Sequence, residues 1–498
     1  MKIITNNKSL SSLIALIAGA SVAIGFAPYG LFPLPLLAMA VWMWLLHGTK
    51  PATAIWYGWL FGLGLFGAGI YWIYISIYLY GNASLPLALL VTFLFVAFLA
   101  LFPALAAWLS ARYQTRTSGV NFLLLFPAVW VLIEWLRSWI FTGFPWLNLG
   151  YSQIDSPLSA LAPVVGVYGV GWVLLVCAGL LGLVMTMRGM LRVFPLLSLV
   201  LVIAGTWGLK QVEWTQALDA EIPATIIQGN ISQDLKWLPE QQQSTLQHYL
   251  DLTAEHTDSK VIVWPETAIP AYYDQVEESF IEPLREGLAK KDIALITGIP
   301  VLDRDNWKYY NSIISLDEKD KYYYKVHLVP FGEYLPLRHL LATVLGFLPV
   351  PEADFSAGDI DQPLLTAAGY PFGASICYEI AFGEQLIKAL PEARFMVNIS
   401  NDAWFGDSSA PHQHLEMARM RALEAGRYLL RSTNTGISAV IDPYGKLVAT
   451  TKQFESATLT ETIVPRDGLT PYAKVGNSPV IIGCVFLVFV IVWLRKVS

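Results

Sequence analysis

Val261-Ile-Val-Trp-Pro-Glu266 is a short run of β-branched and aromatic residues, stopped by a proline and followed at once by a carboxylate. An uninterrupted apolar run of this length, bounded by a breaker, reads as a strand buried on both faces. Pro265 has no N–H to continue a ladder, so the strand ends there and Glu266 stands just beyond it. The same grammar recurs over Ala224 to Ile231, Ala294 to Ile299, Asn311 to Leu316, Phe372 to Cys377, Phe395 to Ile399 and Gly436 to Ile441. Helical patterns run between these strands, over Pro239 to His256, Val276 to Lys291 and His412 to Tyr428. Strands alternating with helices predict an α/β domain with both sheet faces covered.

Upstream of this domain the composition changes. The chain of 498 residues is 55% hydrophobic and only 14% charged, against about 25% charged in an ordinary soluble domain. No Asp, Glu, Lys or Arg lies between Lys8 and Lys50, and none between Lys50 and Arg112. At about 1.5 Å per helical residue, each gap can cross a ~30 Å hydrocarbon layer twice. Apolar runs fall at 10–28, 31–47, 54–79, 86–110, 121–141, 158–187 and 193–209, with one more at 478–495. The expected plan is therefore a membrane domain of seven spans (1–210), a soluble domain (211–475) and a last span (476–498), eight transmembrane helices in all. Lys2, Lys8, Lys50, Arg112, Arg116, Arg188, Arg192, Arg495 and Lys496 all fall on one side of that plan, against Arg137 and Lys210 on the other. Cationic loops resist translocation, so both termini are expected in the cytoplasm and the soluble domain outside it. Glu134 and Arg137, three apart in the fifth span, share a helical face and read as an ion pair at the membrane border. The net charge of −6 offers no field for a nucleic-acid backbone, so no nucleic-acid partner is expected.

Three polar positions stand at or beyond strand ends, where α/β domains place their sites. They are Glu266, the pair Lys325 and Glu333 in Tyr324-Lys-Val-His-Leu-Val-Pro-Phe-Gly-Glu-Tyr334, and Cys377 in Ala374-Ser-Ile-Cys-Tyr-Glu379. Of the three cysteines, Cys177 and Cys484 lie in apolar spans; only Cys377 lies outside them. With no partner for a disulfide, a thiol outside the cytoplasm is a candidate nucleophile. Acyl chemistry at a thiol needs a base, a donor for the oxyanion and a proton for the leaving group. Glu266 supplies the base if burial raises its pKa, and Lys325 with the N–H after Cys377 supplies the positive hole. His327, His412 and His414 are the alternative helpers. His412-Gln-His414 with Glu416 also resembles a metal pair, but two residues apart on a helix the imidazoles point to opposite flanks, so no metal is expected.

The order Glu, Lys, Cys in these settings resembles the carbon–nitrogen hydrolase (nitrilase) superfamily. Joined to seven preceding spans and one following, the whole chain resembles the apolipoprotein N-acyltransferases of the bacterial inner membrane. That resemblance extends to Glu134-Trp-Leu-Arg-Ser-Trp-Ile-Phe-Thr-Gly-Phe-Pro-Trp146 and Val397-Asn-Ile-Ser-Asn-Asp-Ala-Trp-Phe-Gly406. It implies an αββα sandwich in the periplasm with a Glu266, Lys325, Cys377 triad, supported by Glu333, Tyr378, Glu379 and Trp237. It also implies a phospholipid acyl donor, a thioester on Cys377 and a diacylated apolipoprotein as acceptor. Contact with membrane lipids, no cofactor and a monomeric chain complete the expectation.

Because water competes for a thioester, an apolar lid is expected, from Leu340 to Pro351 or around Trp237-Leu-Pro239. The nearest rival is a membrane-tethered amidase or nitrilase that hydrolyses a C–N bond. A transporter would instead show ionisable or Gly/Pro-broken pairs at mid-membrane depth, and a dead hydrolase scaffold would lack one of the triad.

Overall fold

The structure is a computed structural model that describes residues 7–187, 189–335 and 354–497. It divides into two compact units: Met1–Tyr78 with Ala83–Val212 and Val475–Ser498, and Leu79–Asn82 with Glu213–Lys474.

The first unit is helical. Five helices are long and apolar enough to cross a membrane: Leu85–Tyr113, Ser118–Arg137, Pro157–Thr186, Gly189–Leu209 and Ser478–Lys496. Pro51–Gly69 with Ile73–Tyr80 makes a sixth if the pair, bent by 60°, is one span. The two expected spans at 10–28 and 31–47 are shorter apolar helices, Lys8–Ala23 and Pro33–Leu46, of 16 and 14 residues. Turns at Gly25 to Leu31 shorten both. Close packing holds the first of them: a Cβ on Gly19 would sit 1.9 Å from Phe61 O, and one on Gly64 2.1 Å from Leu16 O. Small residues let helix backbones meet where no hydrophobic gradient drives them together.

Glu134 and Arg137 act mainly on the loop that follows them. Arg137 donates from Nη1 to the carbonyls of Phe144 and Trp146, both at 2.6 Å, and from Nη2 to Asn148 Oδ1 at 2.6 Å. Glu134 Oε1 accepts the Leu149 N–H at 3.0 Å. Two buried ionisable groups thus satisfy backbone that would otherwise face an apolar surround unpaired.

The second unit holds two six-stranded sheets. In space the first runs Ala457–Ile463, Ile222–Gln228, Val261–Val263, Ala294–Asp303, Lys308–Ser315, Tyr322–Tyr324. The second runs Leu447–Thr450, Ala439–Ile441, Leu429–Thr433, Phe395–Ser400, Tyr370–Ile376, Leu365–Ala367. The middle of each sheet is parallel, with Ile226 opposite Val263, Val263 opposite Ile296, and Ile376 opposite Ile399. Alternate residues of both sheets, among them Ile226, Val263, Ile296, Phe372, Val397 and Leu430, form one core. The opposite face of the first sheet, with Ile262, Trp264 and Leu295, packs beneath Tyr249, Ile281 and Leu288 of the helices. Helix Ala410–Ala425 packs on strand Leu429–Thr433 of the second sheet. Two sheets with helices outside them are the expected sandwich.

Candidate active site

Glu266, Lys325 and Cys377 each follow the last residue of a strand or its turn, and the two sheets bring these ends together. Trp264 gives the strand's last N–H, to Ile296 O at 2.9 Å. Pro265 has none to give, though its carbonyl still accepts the Gly298 N–H at 3.3 Å, and Glu266 turns inward just beyond it. That turn runs tight against the next strand: a Cβ on Gly298 would lie 2.5 Å from Thr267 N and 2.8 Å from Glu266 Cα. Only glycine leaves room for it.

Asn311 Nδ2 donates to Glu266 Oε1 at 2.7 Å and to Glu333 Oε1 at 3.1 Å, tying the two carboxylates to one amide. Lys325 reaches the same pair. Its Nζ lies 2.8 Å from Glu333 Oε1 and 3.9 Å from Glu266 Oε1, with the side chain 1% exposed. Burial opposes the ammonium charge, but Glu333 and Glu266 outweigh it and hold the Lys325 pKa above its ordinary value. For Glu266 burial is the largest influence and raises its pKa, against Lys325, which lowers it. A buried carboxylate lifted in this way holds a proton more readily than an exposed one, as an acceptor for a neighbouring thiol proton needs.

Cys377 opens a 3₁₀ turn after strand Tyr370–Ile376 with φ 50°, in the left-handed region that a cysteine adopts only under constraint. Glu379 supplies that constraint. Its Oε2 accepts the Ile376 N–H at 2.7 Å and the Tyr323 hydroxyl at 3.0 Å. Its Oε1 accepts the N–H groups of Val326 and His327, at 2.7 and 3.1 Å, and Gln385 Nε2 at 2.9 Å. One fully buried carboxylate therefore clamps the Cys377 turn to the segment that carries Lys325. Burial pushes the Cys377 thiol up to about 12; Glu266 adds to the rise and Lys325 opposes it. At rest the sulfur is a thiol within the electrostatic reach of a buried carboxyl, Glu266, and a buried ammonium, Lys325.

A second polar group lies behind the sulfur. His414 Nε2 is 3.0 Å from the main-chain oxygen of Cys377, and its Nδ1 is 3.0 Å from Asp402 Oδ1. Asp402 also accepts from Ser400 Oγ and Arg431 Nη2, both at 2.8 Å. Burial works against the Asp402 charge, but Arg431 and His414 hold its carboxyl well below the usual carboxylate range. Ligand atoms of Cys377, Asp402 and His414 lie within 4.8 Å of one another. A dication there would face the Arg431 guanidinium, so the group suits a support for the Cys377 carbonyl better than a metal centre. Of the other two candidate helpers, the His327 ring stacks on Phe382 at 3.6 Å and lies 5.8 Å from that of Tyr378, while His412 Nε2 meets Gln453 at 3.2 Å.

Of the residues expected around the triad, Glu333 and Glu379 bond as described, and the Tyr378 ring packs 5.3 Å from that of Phe382. Trp237 is 51% exposed. Its neighbour Lys236 reaches inward instead, Nζ donating to the Glu266 carbonyl at 3.0 Å. Lys236, Asn311, Asp402 and Arg431 are site neighbours that the sequence reading gave no role, and His414, weighed there as a helper for the thiol, meets the Cys377 carbonyl instead. Asp402 lay in plain view, in the quoted Val397 to Gly406 stretch. The proposed lid from Leu340 to Pro351 falls outside the described residues.

Residues 18–180 match the apolipoprotein N-acyltransferase N-terminal domain and residues 224–470 the carbon-nitrogen hydrolase family. A Methylococcus capsulatus protein named apolipoprotein N-acyltransferase is 48% identical over 478 residues, 96% of this chain and 94% of that one. A Coxiella burnetii protein of the same name is 41% identical over 478 residues, 95% and 98% of the two chains. A solved nitrilase-superfamily structure from Saccharomyces cerevisiae is 21% identical, with a TM-score of 0.39, over 51% of this chain and 93% of that one. With family matches in both units and named relatives along almost its whole length, this chain belongs to the apolipoprotein N-acyltransferase family.

Proposed function

We propose that this chain moves a fatty acyl group from a membrane phospholipid to the α-amine of an N-terminal diacylglyceryl-cysteine, through a thioester on Cys377. The convergence of Cys377, Glu266 and Lys325 at the sheet ends, in a chain whose full-length relatives bear the transferase name, carries the reading. In the first half, the thiol adds to the ester carbonyl while its proton passes to Glu266. The oxyanion faces the Lys325 ammonium, which Glu333 holds in place, and the N–H after Cys377. Collapse expels a lysophospholipid, whose oxygen takes the proton from Glu266. In the second half the amine adds to the thioester and gives its proton to Glu266. The thiolate leaves and recovers that proton.

The apolar helices suit a site that meets two lipid-anchored substrates at one bilayer face. Our reading places eight spans in the bacterial inner membrane, seven in 1–210 and one in 476–498. Both termini are then cytoplasmic and 211–475, as a monomer, is periplasmic. The purified full chain, given phospholipid and a diacylated lipopeptide, is expected to carry an acyl mass on Cys377 that transfers to the peptide amine. An acyl group released only to water would instead support the tethered hydrolase.

Glu266 depends on the room at Gly298. Gly298→Ala forces the Glu266 turn outward, and displacement of a catalytic group by ~1 Å costs on the order of 10²-fold in rate. Thioester formation followed by mass at fixed time should show that loss. A variant that charges Cys377 at the parent rate would mean the turn yields without moving the carboxylate.

A further inference from the structure

The buried cluster around Glu266 contains a cation that the reaction above leaves idle. Lys236 ends the short helix Gln233–Lys236, is 3% exposed, and donates from Nζ to the Glu266 main-chain carbonyl at 3.0 Å. Lysine is almost never buried to this degree unless its head is engaged. Here the engagement is with the one residue that must exchange a proton in both half-reactions. Trp237 and Leu238, which follow directly, are exposed at 51% and 38%. Lys236 therefore also ties the Glu266 turn to a segment open to solvent or ligand.

Charge counting adds a second argument. Glu266 and Glu333 are two carboxylates sharing the Lys325 ammonium. Without another cation the cluster carries one net negative charge in a water-poor site. Moving the thiol proton to Glu266 does not remove it, because a negative sulfur or oxyanion replaces the carboxylate. One more ammonium balances the cluster in the resting state and through each tetrahedral intermediate.

We propose that Lys236 is a positioning residue of the acyl-transfer site: its ammonium fixes the turn that presents Glu266 and neutralises the cluster that Glu266 shares with Glu333 and Lys325. This rests on the assignment of Glu266 as base. The groups facing Glu266 are Lys325, Glu333, Asn311 and Lys236; those acting on Cys377 are Glu266, Lys325, Asp402 and Ser400. Burial lowers the Lys236 pKa to about 8, with Glu266 acting to raise it, so the ammonium is the main form at neutral pH. Removing a cation beside Glu266 raises the pH at which the carboxylate gives up its proton, so activity is lost at a higher pH on acidification.

The test follows Cys377 charging by mass from pH 5 to 9, on the full chain in detergent with dipalmitoyl phosphatidylethanolamine. Lys236→Met is expected to move the acidic limb up by about one unit, a roughly ten-fold loss of charging rate at pH values on that limb. Lys236→Arg, which keeps the charge, is expected to restore the limb. A Lys236→Met limb that stays in place overturns the proposal, as does a Lys236→Arg limb shifted as far as that of Lys236→Met. If Lys236→Met does not fold, judged by its thermal melt, Lys236→Gln is read by the same criteria. A Cys377→Ala control separates the two levels of the argument: an acyl group found elsewhere on that control would overturn the site assignment itself, whereas an unmoved limb with Cys377-dependent charging overturns only the role of Lys236.

Discussion

Cys377→Ser is expected to lose both half-reactions, with acyl transfer to the lipopeptide falling by on the order of 10³–10⁶-fold, the range seen when a covalent nucleophile is removed. The substitution is small and the site is already buried, so the melting temperature should change little. The loss comes from chemistry. The thiol is held up at about 12 by burial, Glu266 and Asp402, with Lys325 and Ser400 opposing. A serine hydroxyl in the same surround is harder still to deprotonate. Its ester, if it formed, would also yield more slowly to an amine than a thioester does. Mass analysis of the variant after incubation with phospholipid reads the first half; lipopeptide acylation reads the second. Wild-type transfer by the serine variant would show that Cys377 is not the acyl carrier.

The positions of the candidate residues are legible in the linear sequence because each sits where a strand runs out. A proline after Val261-Ile-Val-Trp264 and a turn after Tyr370–Ile376 are local signals, and polar residues just beyond buried strands have few structural reasons to be there. The supporting network was hidden for the opposite reason. Arg431 sits in the middle of strand Leu429–Thr433 with no exposure. A charged residue in a short run argues against a buried strand unless its partners, Asn398 and Asp402, are known. The helical reading of His412 to Tyr428 accordingly ran to the edge of that strand. The chain ends the helix earlier, at Gly426 with φ 62°, a left-handed glycine cap that was legible in principle.

The edge strands were missed for a different reason. Leu447–Thr450 alternates half-buried with exposed residues, and Ala457–Ile463 carries Thr and Glu. Buried-strand criteria therefore pass over them. Lys236 escaped because a lysine beside a tryptophan reads as a solvated surface residue. Its burial depends on a carbonyl thirty positions away. The apolar helices are plain from charge alone, whereas their length is not: turns trim the first two to 16 and 14 residues.

Glu379→Ala is expected to damage the second unit more than any substitution at the triad. Its carboxylate accepts three backbone N–H groups, from Ile376, Val326 and His327, as well as Gln385 and Tyr323. Removing it strips the buried Ile376 N–H of its acceptor and takes the carboxylate from the part-buried Val326 and His327 N–H groups, at about 1–3 kcal/mol for each donor left unsatisfied, while Gln385 and Tyr323 keep each other. Against a domain stability of about 5–15 kcal/mol, that loss is enough to unfold the unit or leave it marginal. Glutamine does not rescue it. Each carboxylate oxygen faces at least one backbone N–H, so the amide nitrogen meets a donor in either orientation. Denaturant melts should place both variants well below the parent, with Glu379→Ala the lower. Where some folded protein survives, the clamp between the Cys377 turn and the Lys325 segment is gone, so thioester formation should be lost even in the folded fraction. A Glu379→Gln protein that melts and charges like the parent would show that the clamp is dispensable, and that the left-handed Cys377 turn is held by His414 and the strand alone.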